Sequence, residues 1–340
     1  RRGVVPVSWR QDAVGVMGRS VGDVGVALGV LKGVGVDLQD NATWEVPGEV
    51  WEGDLMREVE RAARRGLRGR RFGLLREGYF NFTPSLETDP VNEAMRKMVS
   101  KLTAAGAAVI NISDPLLNPI SLKSLDVQIF EYSPMLTSYL SLAASRKLPG
   151  SVPPSFRALY TQARPNRDFL VLPYQSSFLH AALKSSPSSE EYRSRLQGIS
   201  RLKHHLLNNV FEAHNLDALI YPEQQNLVVP IGSANQHGRN GLLAALTGFP
   251  VVCVPVGFSP PTDLAPVGVP IGMEVLGRPW SEGGLLGIAK SIEDMRSKDG
   301  EGVKVPPWVE RRVPVRGGYE SVPEARVDET VPGVYPLGVF

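Results

Sequence analysis

The sequence predicts an α/β protein, and three observations carry that expectation. Short apolar runs alternate with segments of helical periodicity over most of the chain. One stretch, Arg71 to Ile112, reads as strand, helix, strand, the signature of a βαβ unit with parallel strands. A second stretch, Ser188 to Tyr221, reads as a long amphipathic helix running into an apolar strand. At 340 residues the chain suffices for one large domain or two smaller ones. Hydrophobic residues make up 42% and charged residues 21%, a globular rather than disordered balance. The net charge of +2 gives no general reason to expect nucleic acid or an acidic membrane as partner. One cysteine, Cys253, precludes a disulfide within the chain, and no apolar run is long enough for a membrane span. No leader sequence is evident and the chain begins with Arg1, so the compartment stays open.

Taken in order, VVPVSW within residues 1–11 is expected as a strand. Ser20 and Asp23 form a capping box, opening a helix whose Val24, Ala27, Leu28 and Leu31 share a face. Gly33 is expected to close it in a left-handed conformation. Residues 54–71 form a basic helix, its charge at Arg61–Arg71 read as a solvated helix end because no aromatics interleave and Glu58, Glu60 and Glu77 flank it. A strand follows at Phe72–Leu75. Thr88-Asp89-Pro90 starts a helix with a buried stripe of Val91, Ala94, Met98, Leu102 and Ala105, and AAVINI at 107–112 is the next strand. VQIFEY at 127–132 is expected as a short strand before a helix through Leu136, Tyr139, Leu140 and Leu142. A short helix is expected near Ser176–Leu183 in a Pro- and Ser-rich stretch. Ser188 and Glu191 then cap the long helix through Tyr192, Leu196, Ile199, Leu202, Leu206 and Val210. Ala218–Tyr221 is a strand, Asn240–Thr247 a helix, Val251–Val256 and Ile271–Leu276 strands, and Ser281–Met295 a helix. The tail 300–340, rich in Pro, Gly and charge, is expected to be loop or partly disordered beyond a domain of residues 1–299.

Asp217 to Glu293 carries a resemblance. Its pieces are DALIYP, TGFPVVCVPVGF, the hairpin-like PVGVPIGMEVLGRPW and the helix opened by Ser281-Glu282. In this order they resemble the C-terminal part of an amidase-signature enzyme. Asp12, Gly15, Met17, Arg19, Ser20, Val21 and Asp23 resemble an earlier segment of that family, with Val16 where proline is usual. The resemblance implies an α/β/α sandwich around a mixed central sheet. It also implies hydrolysis of a carboxamide, in which a serine attacks the carbonyl, a lysine acts as base through a second serine in a cis peptide, and backbone N–H groups hold the oxyanion. The expected substrate is a small-molecule amide, with no cofactor, metal or nucleic acid.

The Gly/Ser-rich stretch that holds the nucleophile in the family has no counterpart here. Ser176-Ser177 and Ser185-Ser186 lack flanking glycines, and Gly232-Ser233-Ala234 is too short. Gly18-Arg19-Ser20-Val21-Gly22 satisfies the nucleophile-elbow pattern but lacks a buried strand before it, so Ser20 reads as a helix cap. His180, His204, His205, His214 and His237 show no metal-binding spacing and are expected to be structural or solvated. Cys253 is expected as a buried strand thiol. No catalytic residue is assigned, and the catalytic part is expected to precede Arg1. The chain is therefore expected to be the inactive C-terminal portion of an amidase, poorly soluble or molten on its own. The alternatives are a non-catalytic partner built on half of the fold and an amidotransferase subunit of the same fold.

Overall fold

The computed structural model describes residue 1 and residues 4–38, 40–145, 153–163, 173–230 and 236–300. The expected tail beyond residue 300 and the Gly232-Ser233-Ala234 triplet lie outside these residues. The fold is built on a mixed five-stranded sheet of order β2-β1-β3-β5-β4. Its strands are β1 (Arg71–Leu75), β2 (Ala108–Ile112), β3 (Ala218–Pro222), β4 (Val251–Phe258) and β5 (Pro270–Leu276). β1 runs parallel to β2 and β3, while β5 is antiparallel to β3 and β4. The principal helices are α1 (Val21–Lys32), α2 (Leu55–Arg65), α3 (Asp89–Ala104), α4 (Gln128–Ser145), α5 (Pro173–Lys184), α6 (Glu190–His205), α7 (Leu242–Thr247) and α8 (Glu282–Lys298).

Strand alternation divides the core. Phe72, Leu74, Ile220, Met273, Val275 and Val254 point to one face, under α1, α2, α3 and α8. Leu75, Leu219, Tyr221 and Leu276 point to the other, under α6 and α7. The α/β/α layering and mixed sheet follow from this division. Gly73 lies where no side chain fits: a Cβ there would sit 2.7–2.8 Å from Leu216, Leu219 and Ile112. β1 and β3 are also tied at their amino ends. Asp217 accepts from Arg70 and from the Arg71 amide, both at 2.8 Å, and Arg70 is buried rather than part of a solvated helix end.

Several local expectations are corrected. Val4–Trp9 forms no strand; the Asp12 carboxylate takes the Val7 and Ser8 amides at 2.8 and 3.0 Å, so those donors serve a turn. VQIFEY is helical: Asp126 accepts from the Gln128 amide at 2.9 Å, and the buried Val127, Phe130 and Glu131 follow a helical spacing. Gly33 is right-handed at φ −61°; the left-handed residue is Gly35 at φ 75°. Leu31 is exposed rather than on the buried face of α1. Ser189, not Ser188, caps α6, accepting from Tyr192 N at 3.2 Å, while Ser188 bonds to Ser186 and Glu191 pairs with Arg195. The Ser20–Asp23 capping box forms as expected, at 3.1 and 3.2 Å.

Substitutions at Gly73 and Ser20 test this packing and capping. Gly73→Ala lowers stability by about 1–3 kcal/mol through overpacking, and Ser20→Ala lowers it by about 1 kcal/mol through loss of the cap. Urea denaturation of each variant measures both.

Candidate functional site

The sequence of crossovers selects one end of the sheet. β1 connects to β2 through α3 on one face, and β2 returns past β1 to β3 through α4–α6 on the other. The chain thus reverses its winding at β1, and in open α/β sheets the crevice at the carboxyl ends of such strands is where ligands bind. Here that crevice is bounded by Arg76–Tyr79 after β1 and by Pro222–Gln225 after β3.

Asn240 spans it. Its amide nitrogen donates to the carbonyls of Tyr79 and Pro222, both at 2.8 Å, and its side chain is fully buried. Gln225 donates to the Gly78 carbonyl, and its own backbone N–H reaches Gly238 O at 2.8 Å. Glu223 N donates to Gly272 O at 3.0 Å, and Asn240 N donates to Glu223 O at 3.1 Å. The loop after β3 is therefore stitched to β1, to β5 and to the segment before α7. Beside it opens a cavity of about 590 Å³, walled by Glu223, Gln224, Gln236, Arg239 and Leu242.

A polar row crosses the sheet next to this crevice. Glu274 on β5 is the register partner of Tyr221 on β3 and of Cys253 on β4. Tyr221 stacks at a tilt on Tyr79, with centroids 4.7 Å apart, and Tyr79 donates its hydroxyl proton to Leu117 O at 2.8 Å. Burial raises the Tyr221 pKa, reinforced by the charge of Glu274. Its hydroxyl lies against Glu274 yet makes no hydrogen bond of good geometry, and Glu274 Oε2 also has no partner. Burial pushes the Glu274 carboxyl up to about 7; the Tyr221 hydroxyl opposes the shift and the Glu223 charge adds to it. At neutral pH this carboxyl is therefore partly protonated and able to donate as well as accept.

Cys253 corrects the expectation of a buried thiol: it is exposed, because β4 is the last strand of the sheet. Enclosure of its sulfur, with the charges of Glu223 and Glu274, still pushes the thiol up to about 12. A thiol held in its protonated form is a poor nucleophile.

Among the described residues the outer edge of β4 has no strand partner. Gly277 N donates to Pro250 O at 2.9 Å, which fixes the parity of the ladder: Val252 and Val254 bond to β5, whereas Val251 and Cys253 turn their N–H and C=O groups outward. Pro255 occupies the same outward parity, as an edge proline does. Val251, Cys253 and Pro255 also carry their side chains on an uncovered part of the sheet.

The serines weighed from sequence do not join this site. Ser20 caps α1; Ser176 and Ser177 lie in α5; Ser185 donates to Ala181 O at 2.9 Å. His180, His204, His214 and His237 are exposed, and His205 Nε2 lies 2.5 Å from Asp114 with Asn209 on the other ring nitrogen. Among the described residues no group of three or more His, Cys, Asp or Glu side chains could hold a metal, and no helix is long and apolar enough to cross a membrane. Sequence reasoning missed Asn240, Tyr221 and Glu274 as site residues. The available signal was an acidic residue in the otherwise apolar strand GMEVL, on the face opposite Met273 and Val275.

Comparison with known proteins is consistent across sequence and structure. The family model described as Amidase matches residues 1–286. A protein of Arthroderma benhamiae that carries the name amidase is 27% identical over 86% of this chain and 48% of its own length. A glutamyl-tRNA(Gln) amidotransferase subunit of Myxococcus xanthus is 26% identical over 86% of this chain and 57% of its own. The native peptide amidase of Stenotrophomonas maltophilia superposes with a TM-score of 0.66 at 25% identity, covering 86% of this chain and 55% of that one. The chain thus spans about half the length of the curated relatives it matches.

Glu274 gives the site a pH signature. Its folded pKa lies above the unfolded value, so the folded state holds a proton that the unfolded state releases between about pH 4.5 and 7. Its contribution is intact at low pH and is lost as pH rises through that window, on the order of 3 kcal/mol in total. Glu274→Gln removes this decline, so the variant gains on the wild type from pH 4.5 to 7. Unfolding free energies measured at several pH values across the window check this.

Proposed function

The chain belongs to the amidase family, and from that premise we propose that it is the C-terminal portion of an enzyme that hydrolyses a carboxamide. Its nucleophilic serine, bridging serine and lysine base come from polypeptide outside these 340 residues, which adds to the sheet at β4. The observation that carries the reading is the edge of β4, where Val251 and Cys253 have no backbone partner among the described residues, beside a sheet face that those residues leave uncovered. A long unpaired edge strand is a place where another strand adds. The match to about half of each relative's length supports the same reading.

In the assembled site the crevice at β1 and β3 forms one wall of the substrate pocket. Asn240 keeps that wall rigid by joining the two strand ends. The chemical step belongs to the added segment, because acyl transfer needs a nucleophile and base within hydrogen-bond reach of each other. The relative from Myxococcus xanthus supports a second reading, in which the chain is part of an amidotransferase. In that case ammonia release would be coupled to transfer on a partner rather than to water alone.

The experiment compares the 340-residue chain with the protein purified from its native source, using a panel of primary carboxamides and ammonia release as the readout. The native protein is expected to be larger than this chain and to turn over amides, while the isolated chain does not. Ser20→Ala in the native protein leaves turnover intact, because Ser20 is a helix cap. Turnover by the isolated chain, abolished in Ser20→Ala, would overturn the proposal.

A further inference from the structure

We propose that the outer face of α1 is an interface, and that the polypeptide which adds its strand to β4 also covers this face with an apolar element packed close against it. The inference rests on the reading that such polypeptide adds at β4, and it extends that reading from the sheet edge to a helix face. Between Val21 and Lys32 only Asp23 and Lys32 are polar. Both are engaged locally: Asp23 completes the cap with Ser20, and Lys32 donates to the Gly53 carbonyl. The rest of the helix is Val, Leu, Ala and Gly on every side.

A helix that is apolar all round belongs in an interior. Among the described residues α1 is covered on one side only. Val21, Val24 and Leu28 pack with the core under α2 and α8. Gly25 lets α2 approach on that side, since a Cβ there would stand 2.8 Å from Met56 Sδ. On the opposite side Val26 and Val30, one turn apart, are 57% and 70% exposed. The exposure continues past the helix through Val34, Val36 and Leu38. Single apolar side chains on a surface are ordinary, whereas a contiguous set marks a contact surface. Gly29, on the flank beside these valines, points the same way. A Cβ there would meet nothing within 4 Å, so no described neighbour requires glycine. Glycine weakens a helix interior relative to Ala, and a close approach from outside accounts for one at this position.

What covers this face follows from its position. The first turn of α1 stands beside the outer strand: residues 18–21 and Val24 share a recess of about 140 Å³ with residues 252–255 of β4. Val21 N donates to Glu293 of α8 at 3.0 Å, which fixes the helix there. The apolar face of α1 is therefore continuous with the strand edge at which polypeptide is added. The chain spans about half the length of its curated relatives, so a segment of comparable size is at hand to cover both. In layered α/β proteins an apolar helix face is buried by the next layer. The covering element accordingly presents apolar side chains with little charge, as interface cores do, and comes nearest the α1 backbone at Gly29.

The test is thiol labelling with Val30→Cys as the reporter in a Cys253→Ser background, made both in the 340-residue chain and in the full protein of the native source. A maleimide is expected to react at position 30 roughly tenfold or more slowly in the native protein than in the isolated chain, because access there requires local opening. Hydrogen exchange at the Val251 amide in the same samples reads strand addition separately. Protection of Val251 with equal labelling at position 30 overturns this inference and leaves the reading of β4 standing, whereas protection at neither site overturns both. Protection of position 30 in the isolated chain that grows with its concentration means that a second copy covers the face, and it also overturns the inference. Gly29→Ala gives an independent readout should Val30→Cys fail to fold. It is expected to raise the unfolding midpoint of the isolated chain by about 2 °C and to lower that of the native protein. A rise in both would contradict a close approach at Gly29.

Discussion

Among the described residues the eight-residue strand β4 is paired along one side only, and much else in the molecule depends on that asymmetry. Its inner side completes the core: Val254 and Val256 are buried with Met273 and Val275 against α3 and α8. Its outer side leaves the backbone groups of Val251 and Cys253 without strand partners. Backbone groups cost little while water reaches them, so the strand is tolerated where it stands. They become costly, or adhesive, once covered without a strand to match. The same edge exposes Cys253, opens one end of the Tyr221–Glu274–Cys253 row, and leaves apolar side chains such as Val251 at the surface.

In the interior of the sheet, β1 and β3 are cross-braced at both ends. Asp217 ties the start of β3 to Arg70 and Arg71, and Asn240 ties the carboxyl ends of β1 and β3. Between these two clamps, Gly73 lets Leu216, Leu219 and Ile112 approach the backbone of β1. The crevice is thereby a rigid wall. Glu274 Oε2 and Tyr221 Oη lie buried beside it without a hydrogen-bond partner of good geometry among the described residues.

Much of this was legible in the sequence. The βαβ unit, the long helix into β3, the β4 and β5 strands and the Ser20 cap were set by periodicity and capping chemistry that act within a few residues. The two misread strands share one cause. VVPVSW and VQIFEY have strand-like composition, but Asp12 and Asp126 capture nearby amides and turn the chain, and tertiary burial of Val127, Phe130 and Glu131 settles the second as a helix. Short β-branched runs are weak evidence beside a side chain that can cap. The site was less legible. Asn240 acts through residues 161 and 18 positions away, a relation that no local pattern encodes. Cys253 was misplaced because burial of a strand depends on whether a neighbour covers its edge, which is a property of the sheet and not of VVCVPV.

Hydrogen–deuterium exchange at the amides of Val251 and Cys253 tests the central claim most directly, comparing the 340-residue chain with the protein from its native source. The account predicts rapid exchange at both amides in the isolated chain and strong protection in the native protein, with Val252 and Val254 protected in both. Rapid exchange at Val251 and Cys253 in the native protein as well would contradict it, because β4 would then be a true edge and no strand would add there.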